Sequence, residues 1–98
     1  GPVYKSFVTE QDKIILTFEH AEGIKLVPKN GSLNFQIAGA DKIFHDAEAK
    51  ISGSTVVVSS PKVKAPVAVR YCWSDTSEAT LFNGAGLPAS SFRTDNWK

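Results

Sequence analysis

Alternation with a period of two is the feature that most restricts what this chain can become. Ile14, Leu16 and Phe18 fall on one side of a run whose other side carries Lys13, Thr17 and Glu19. Leu33, Phe35 and Ile37 alternate with Asn34 and Gln36, and Val56 and Val58 sit in a β-branched run with Thr55 and Val57. Val67, Val69, Tyr71 and Trp73 alternate with Ala68, Arg70, Cys72 and Ser74. Side chains of a strand point alternately to opposite faces, so each run predicts a strand with one apolar and one polar face. Val3 to Thr9 mixes its faces and is a weaker strand candidate. The segment Ala47–Ile51 has helical composition, yet its alternation and its position before Ser52-Gly53-Ser54 favour a hairpin strand. Asn30-Gly31 supplies a turn that accepts positive φ, and Glu10-Gln11-Asp12 links the first two strands. Pro61 and Pro66 bracket a short connection before the Val67–Trp73 run.

Strands recurring about every ten residues predict an all-β, antiparallel β-sandwich, jelly-roll-like, occupying residues 1–98 as a single domain. From Asn83 to Lys98, glycines, prolines and small residues predict an ordered C-terminal loop segment without a regular ladder, pinned by Phe92 and Trp97. With 98 residues there is room for one core and none for a second lobe. Eleven basic and ten acidic residues leave a net charge of +1, which argues against a nucleic-acid surface or a polybasic membrane surface. No apolar run approaches the roughly 18–20 residues of a membrane-spanning helix.

Catalytic chemistry is sparse. A serine hydrolase requires a nucleophile, a histidine base and a group that orients the base. No serine here stands in Gly-x-Ser-x-Gly or follows Gly-Asp, and Asp41 precedes His45 by four residues where the small esterase folds place it three before. His45 and Asp46 are adjacent, so in a strand they face opposite ways. No catalytic residue is therefore assigned. His20 and His45 lack partners at metal-ligand spacing, and Glu19, His20 and Glu22 read as a solvated turn, so neither a metal nor another cofactor is assigned. Gly84-Ala85-Gly86 lacks the strand, helix and lysine of a phosphate loop and reads as a turn before Leu87-Pro88. Cys72 is the one cysteine, which excludes an internal disulfide, and it reads as a small buried apolar residue. Of the aromatics, Tyr71 and Trp73 share the apolar face of their strand and are assigned to the core. Tyr4 and Trp97 remain as candidate sugar contacts, and Phe92, Arg93, Asp95 and Trp97 as candidate tail-anchoring or interdomain contacts. Arg70 and Arg93 are candidates for bidentate carboxylate pairs.

In order along the chain come Gly1–Ser6 (Gly-Pro-Val-Tyr-Lys-Ser), Ile15–Ala21 (Ile-Leu-Thr-Phe-Glu-His-Ala) and Phe35–Phe44 (Phe-Gln-Ile-Ala-Gly-Ala-Asp-Lys-Ile-Phe). Ala47–Ile51, Pro66–Trp73 (Pro-Val-Ala-Val-Arg-Tyr-Cys-Trp) and Leu81–Asp95 (Leu-Phe-Asn-Gly-Ala-Gly-Leu-Pro-Ala-Ser-Ser-Phe-Arg-Thr-Asp) follow. This series resembles the carboxy-terminal β-domain of the sialate O-acetylesterase family, departing from it at Cys72, where the family has alanine, and at Ser91, where it has proline. The resemblance implies a larger parent enzyme that removes O-acetyl groups from sialic acid or related sugars, with its catalytic serine and Asp–His pair in an upstream esterase domain. On that reading Gly1 opens the domain, and the chain alone is not an enzyme. Its partner is the esterase domain of the same protein, against which it packs and which it stabilises. A carbohydrate-binding module is the alternative. The resemblance also implies a secreted or periplasmic location.

Overall fold

The computed structural model describes residues 1–74 and 77–97. Ten strands run β1 (Val3–Glu10), β2 (Lys13–Glu19), β3 (Lys25–Leu26), β4 (Phe35–Ala38), β5 (Phe44–Asp46), β6 (Glu48–Ser52), β7 (Thr55–Ser59), β8 (Ala68–Tyr71), β9 (Leu81–Phe82) and β10 (Phe92–Arg93). The fold is all-β. One four-stranded antiparallel sheet has the order β1-β2-β7-β6, a second has the order β10-β8-β4-β5, and β3 pairs with β9 in a small ribbon. The chain crosses between the two larger sheets after β2, after β5 and after β7, as a sandwich requires.

Register explains the core. Residues directly opposite one another in a ladder share a face. In the first sheet, Leu16 faces Phe7 on one side and Val56 on the other, while Ile14 faces Val58, which in turn faces Ala49. In the second, Tyr71 lies between Phe92 and Phe35, and Ile37 between Val69 and His45. Ile14, Leu16, Phe35, Ile37, Val56, Val58, Val69 and Tyr71 are all buried between the sheets. Each such side chain contributes roughly 1.5–3 kcal/mol of transfer free energy.

Turn chemistry sets the hairpins. Asn30 and Gly31 both have positive φ (52° and 76°), and Lys29 and Ser32 exchange backbone hydrogen bonds around them. The β6–β7 turn needs positive φ at Gly53 alone, as in a type II′ hairpin. The β1–β2 turn makes the same demand of Gln11, at φ 56°. A side chain costs about 1–2 kcal/mol in that left-handed region. Gln11→Gly is therefore expected to raise stability by about 0.5–1 kcal/mol, read as a higher urea midpoint at unchanged slope.

The Val3–Thr9 strand candidate is borne out as Val3–Glu10; a β-bulge between Tyr4 and Ser6 shifts its register, so Tyr4 and Phe7, three residues apart, both pack against the core. Three expectations need correction. Trp73 and Val67 are not in the core but 45% and 41% exposed. Strand β8 stops at Tyr71, and Cys72 adopts φ 51°, so the alternation ends one residue before Trp73 and the indole emerges on the outer surface. Val67 precedes the strand, beyond the end of the core. Cys72 itself is half-buried rather than buried: its thiol donates to the Glu78 carbonyl at 3.2 Å, and burial raises its pKa. Finally, the tail does join a ladder, because β10 pairs with β8 through Phe92–Tyr71 and Arg93–Arg70.

Candidate functional site

Within six residues, Phe92 to Trp97, the tail carries two aromatic and two charged side chains. Phe92 inserts at the open edge of the sandwich. Its ring stacks on Tyr4 (centroids 4.8 Å apart, planes within 3°), lies 5.4 Å from Tyr71 and meets Phe18 edge-on at 5.6 Å, so it touches both sheets. Tyr4 also meets Phe18 edge-on, and burial raises its phenol pKa. Thr94 clamps the next position: its hydroxyl accepts from Val69 N–H at 2.9 Å, and its own N–H donates to the Val69 carbonyl at 3.0 Å.

Asp95 then closes on β8 from the outer side. Its carboxylate accepts two bonds from Arg70, from Nε at 3.2 Å and from Nη2 at 2.9 Å, and a third from Trp97 N–H at 3.1 Å. The Asp95 side chain is 2% exposed and that of Arg70 20%. Hydrogen bonding from Arg70 lowers the Asp95 pKa, and the same bond raises that of Arg70. A planar guanidinium held by a carboxylate at its edge leaves its faces free for aromatic rings. Phe44 lies 4.2 Å from the Arg70 carbon and Trp73 lies 5.7 Å from it.

These groups converge on one surface. Residues of one register row share a face, which places Arg93, Arg70, Gln36 and Asp46 together on the outer side of the second sheet, with Phe44 in the next row. Trp73 and Trp97 flank them. Arg93 is exposed; its guanidinium sits 5.2 Å from the Trp73 ring, and Nη1 donates to the Trp97 carbonyl at 3.0 Å. Trp97 is half-buried against Phe44 (5.8 Å), with the Lys42 ammonium 5.4 Å from its ring. A shallow depression lies beside Trp73, lined also by Asn34, Gln36, Asp46, Ser74 and Ser77.

Of the residues singled out in the sequence, Phe92 and Tyr4 meet in the edge of the core, while Arg93, Asp95 and Trp97 meet on the outer face with Arg70. Trp73, assigned to the core from its alternation, is the exposed aromatic of that face. The signal that would have found it is the Arg70/Arg93 pair spaced for cation–π contacts, but only the fold brings those residues together. His45 lies in a strand, half-buried, beside a depression shared with Asp41, while Asp41 Oδ1 accepts from Ile43 N–H at 3.0 Å in a local turn. His20, Glu22, Asn83, Gly84 and Ala85 line a separate open depression. Among the described residues no three of His, Cys, Asp and Glu converge as metal ligands.

Structurally, then, this is a small antiparallel β-sandwich whose outer face carries aromatic and guanidinium groups. No family model matches the chain, and no curated protein matches it. Among solved structures it is similar to a carbohydrate acetylesterase from Xanthomonas citri, with 42% sequence identity and a TM-score of 0.87. The similarity covers 98% of this chain and 23% of that one, so the chain spans about a quarter of the length of the esterase it matches.

Proposed function

We propose that this chain is a non-catalytic accessory domain of a carbohydrate acetylesterase. It sits carboxy-terminal to the esterase domain of the same protein and packs on it. The observation that carries this reading is the 42% identity maintained over 98% of the chain against only 23% of an acetylesterase of known structure. The sequence supports a passive role in the chemistry, since neither histidine stands in the spacing of a hydrolase triad. The motif series from Gly1 to Asp95 supports a finer assignment: the parent enzyme acts on O-acetyl groups of sialic acid or a related sugar, outside the cytoplasm. In this reading Phe92 and Asp95 hold the tail on the domain's own sheets. Arg93 and Trp97, at the outer margin, are the residues offered to the esterase domain.

The test compares the longer polypeptide with and without residues 1–98. Removal is expected to lower the Tm of the esterase domain by about 1–2 °C, the shift that loss of about 1 kcal/mol of docking produces in a domain about three times the length of this one. It is also expected to reduce acetate release from an acetylated glycan. An unchanged Tm together with unchanged acetate release overturns the proposal.

A further inference from the structure

We propose that the outer face of the second sheet holds a pyranoside-binding subsite, with Trp73 as the platform and Gln36 and Asp46 as the groups that read hydroxyls. It rests on the reading of the chain as part of a glycan-processing protein and assigns that protein a contact with the sugar outside the esterase domain.

Three observations converge. Trp73 is 45% exposed although it follows a buried strand, and its indole is braced from within the domain by Arg70 and Arg93 at 5.7 and 5.2 Å. Arg70 is itself fixed by two bonds to a buried carboxylate, so the platform is preorganised rather than floppy. Gln36 and Asp46 stand opposite each other in the β4–β5 ladder and line the depression beside the indole. Among the described residues, neither side chain makes a hydrogen bond or an ion pair.

The chemistry of this set fits a pyranose. The negative face of an indole attracts the C–H-rich face of a sugar ring. A free carboxylate accepts from two hydroxyls, and a free primary amide both donates and accepts. The depression holds about 50 Å³. That admits one or two polar groups, given roughly 30 Å³ per water molecule, and not a whole ring. The ring therefore lies on Trp73 and sends one hydroxyl-bearing edge into the depression.

The experiment is a titration of the 98-residue chain, followed by heteronuclear NMR, with methyl β-D-galactopyranoside and with the methyl glycoside of N-acetylneuraminic acid. The expected result is saturable shifts at the Trp73 indole N–H and the Gln36 side-chain amide with at least one of the two sugars. Trp73→Ala should raise that Kd at least about tenfold. Gln36→Ala, at a half-buried position outside the core, is expected to raise it about three- to tenfold and serves where the tryptophan variant folds poorly. No saturable shift at these groups up to tens of millimolar of either sugar, or shifts that persist in both variants, overturns the subsite. Loss of the subsite with retention of the Tm effect of residues 1–98 leaves the accessory-domain reading standing, so the two failures are distinguishable.

Discussion

Replacing Tyr71 with phenylalanine is expected to destabilise the chain by about 2–4 kcal/mol, although it removes one oxygen atom and leaves the ring in place. Tyr71 is fully buried, and its hydroxyl accepts two backbone bonds, from Thr80 N–H at 2.8 Å and from Leu81 N–H at 2.9 Å. Both donors belong to residues with no exposed surface. Without the hydroxyl, each N–H is left in an apolar site without an acceptor, at about 1–3 kcal/mol apiece. The bonds also tie the start of β9 to the end of β8. Thr80 completes the junction by donating from its hydroxyl to the Leu33 carbonyl at 2.6 Å. Burial raises the Tyr71 pKa, so the phenol stays protonated through neutral pH. Urea unfolding measures the effect; a loss below about 0.5 kcal/mol means that the two donors find other partners and that the junction is not held as described.

Asp95→Ala is the second large effect, expected at about 2–3 kcal/mol. Breaking a fully buried ion pair costs about 3–5 kcal/mol, and the value is reduced here because Arg70 is 20% exposed and water can solvate part of its charge. The variant also removes the acceptor of Trp97 N–H, so the last turn of the tail loosens with it. The pH dependence follows from the direction of the shift. Arg70 lowers the folded-state pKa of Asp95 below its unfolded value of about 3.9. The folded state thus favours the carboxylate, and the stabilisation is fully present above that unfolded value and lost as pH falls through the folded one. Arg70, whose pKa is raised from an already high value, remains charged throughout and adds no pH dependence. The stability difference between the native chain and Asp95→Asn should accordingly be constant from pH 7 to about pH 5 and shrink below about pH 4. A difference that grows on acidification contradicts the ion pair.

How far the sequence announced this structure depends on the kind of signal. Ile14, Leu16, Phe18, Val56 and Val58 alternate without interruption, and their burial follows from the pleat alone. The hairpins at Asn30-Gly31 and Ser52-Gly53-Ser54 follow from which residues accept positive φ. Trp73 shows where alternation stops being sufficient. A single residue, Cys72, takes a left-handed conformation that its composition does not announce, and this moves the indole from the core to the surface. Asn34 also adopts positive φ (60°), and its carbonyl accepts from Cys72 N–H at 3.0 Å, so the irregularity is set by pairing between distant segments. The tail is a related case. Phe92-Arg93 is too short to read as a strand, and it pairs because Phe92 fills the gap between Tyr4, Phe18 and Tyr71, a gap that exists only once both sheets have formed. The outer face of the second sheet was illegible for the same reason: Gln36, Asp46, Arg70, Trp73, Arg93 and Trp97 come from four separate segments, and register alone assembles them.

We propose that the chain is an accessory part of a carbohydrate acetylesterase and does not perform its chemistry. Acetate release from an aryl acetate by the purified 98-residue chain tests this most directly. The expected rate equals the buffer background and is unaffected by His45→Ala. Hydrolysis above background that His45→Ala abolishes would contradict it, because the β-sandwich would then carry a catalytic base of its own.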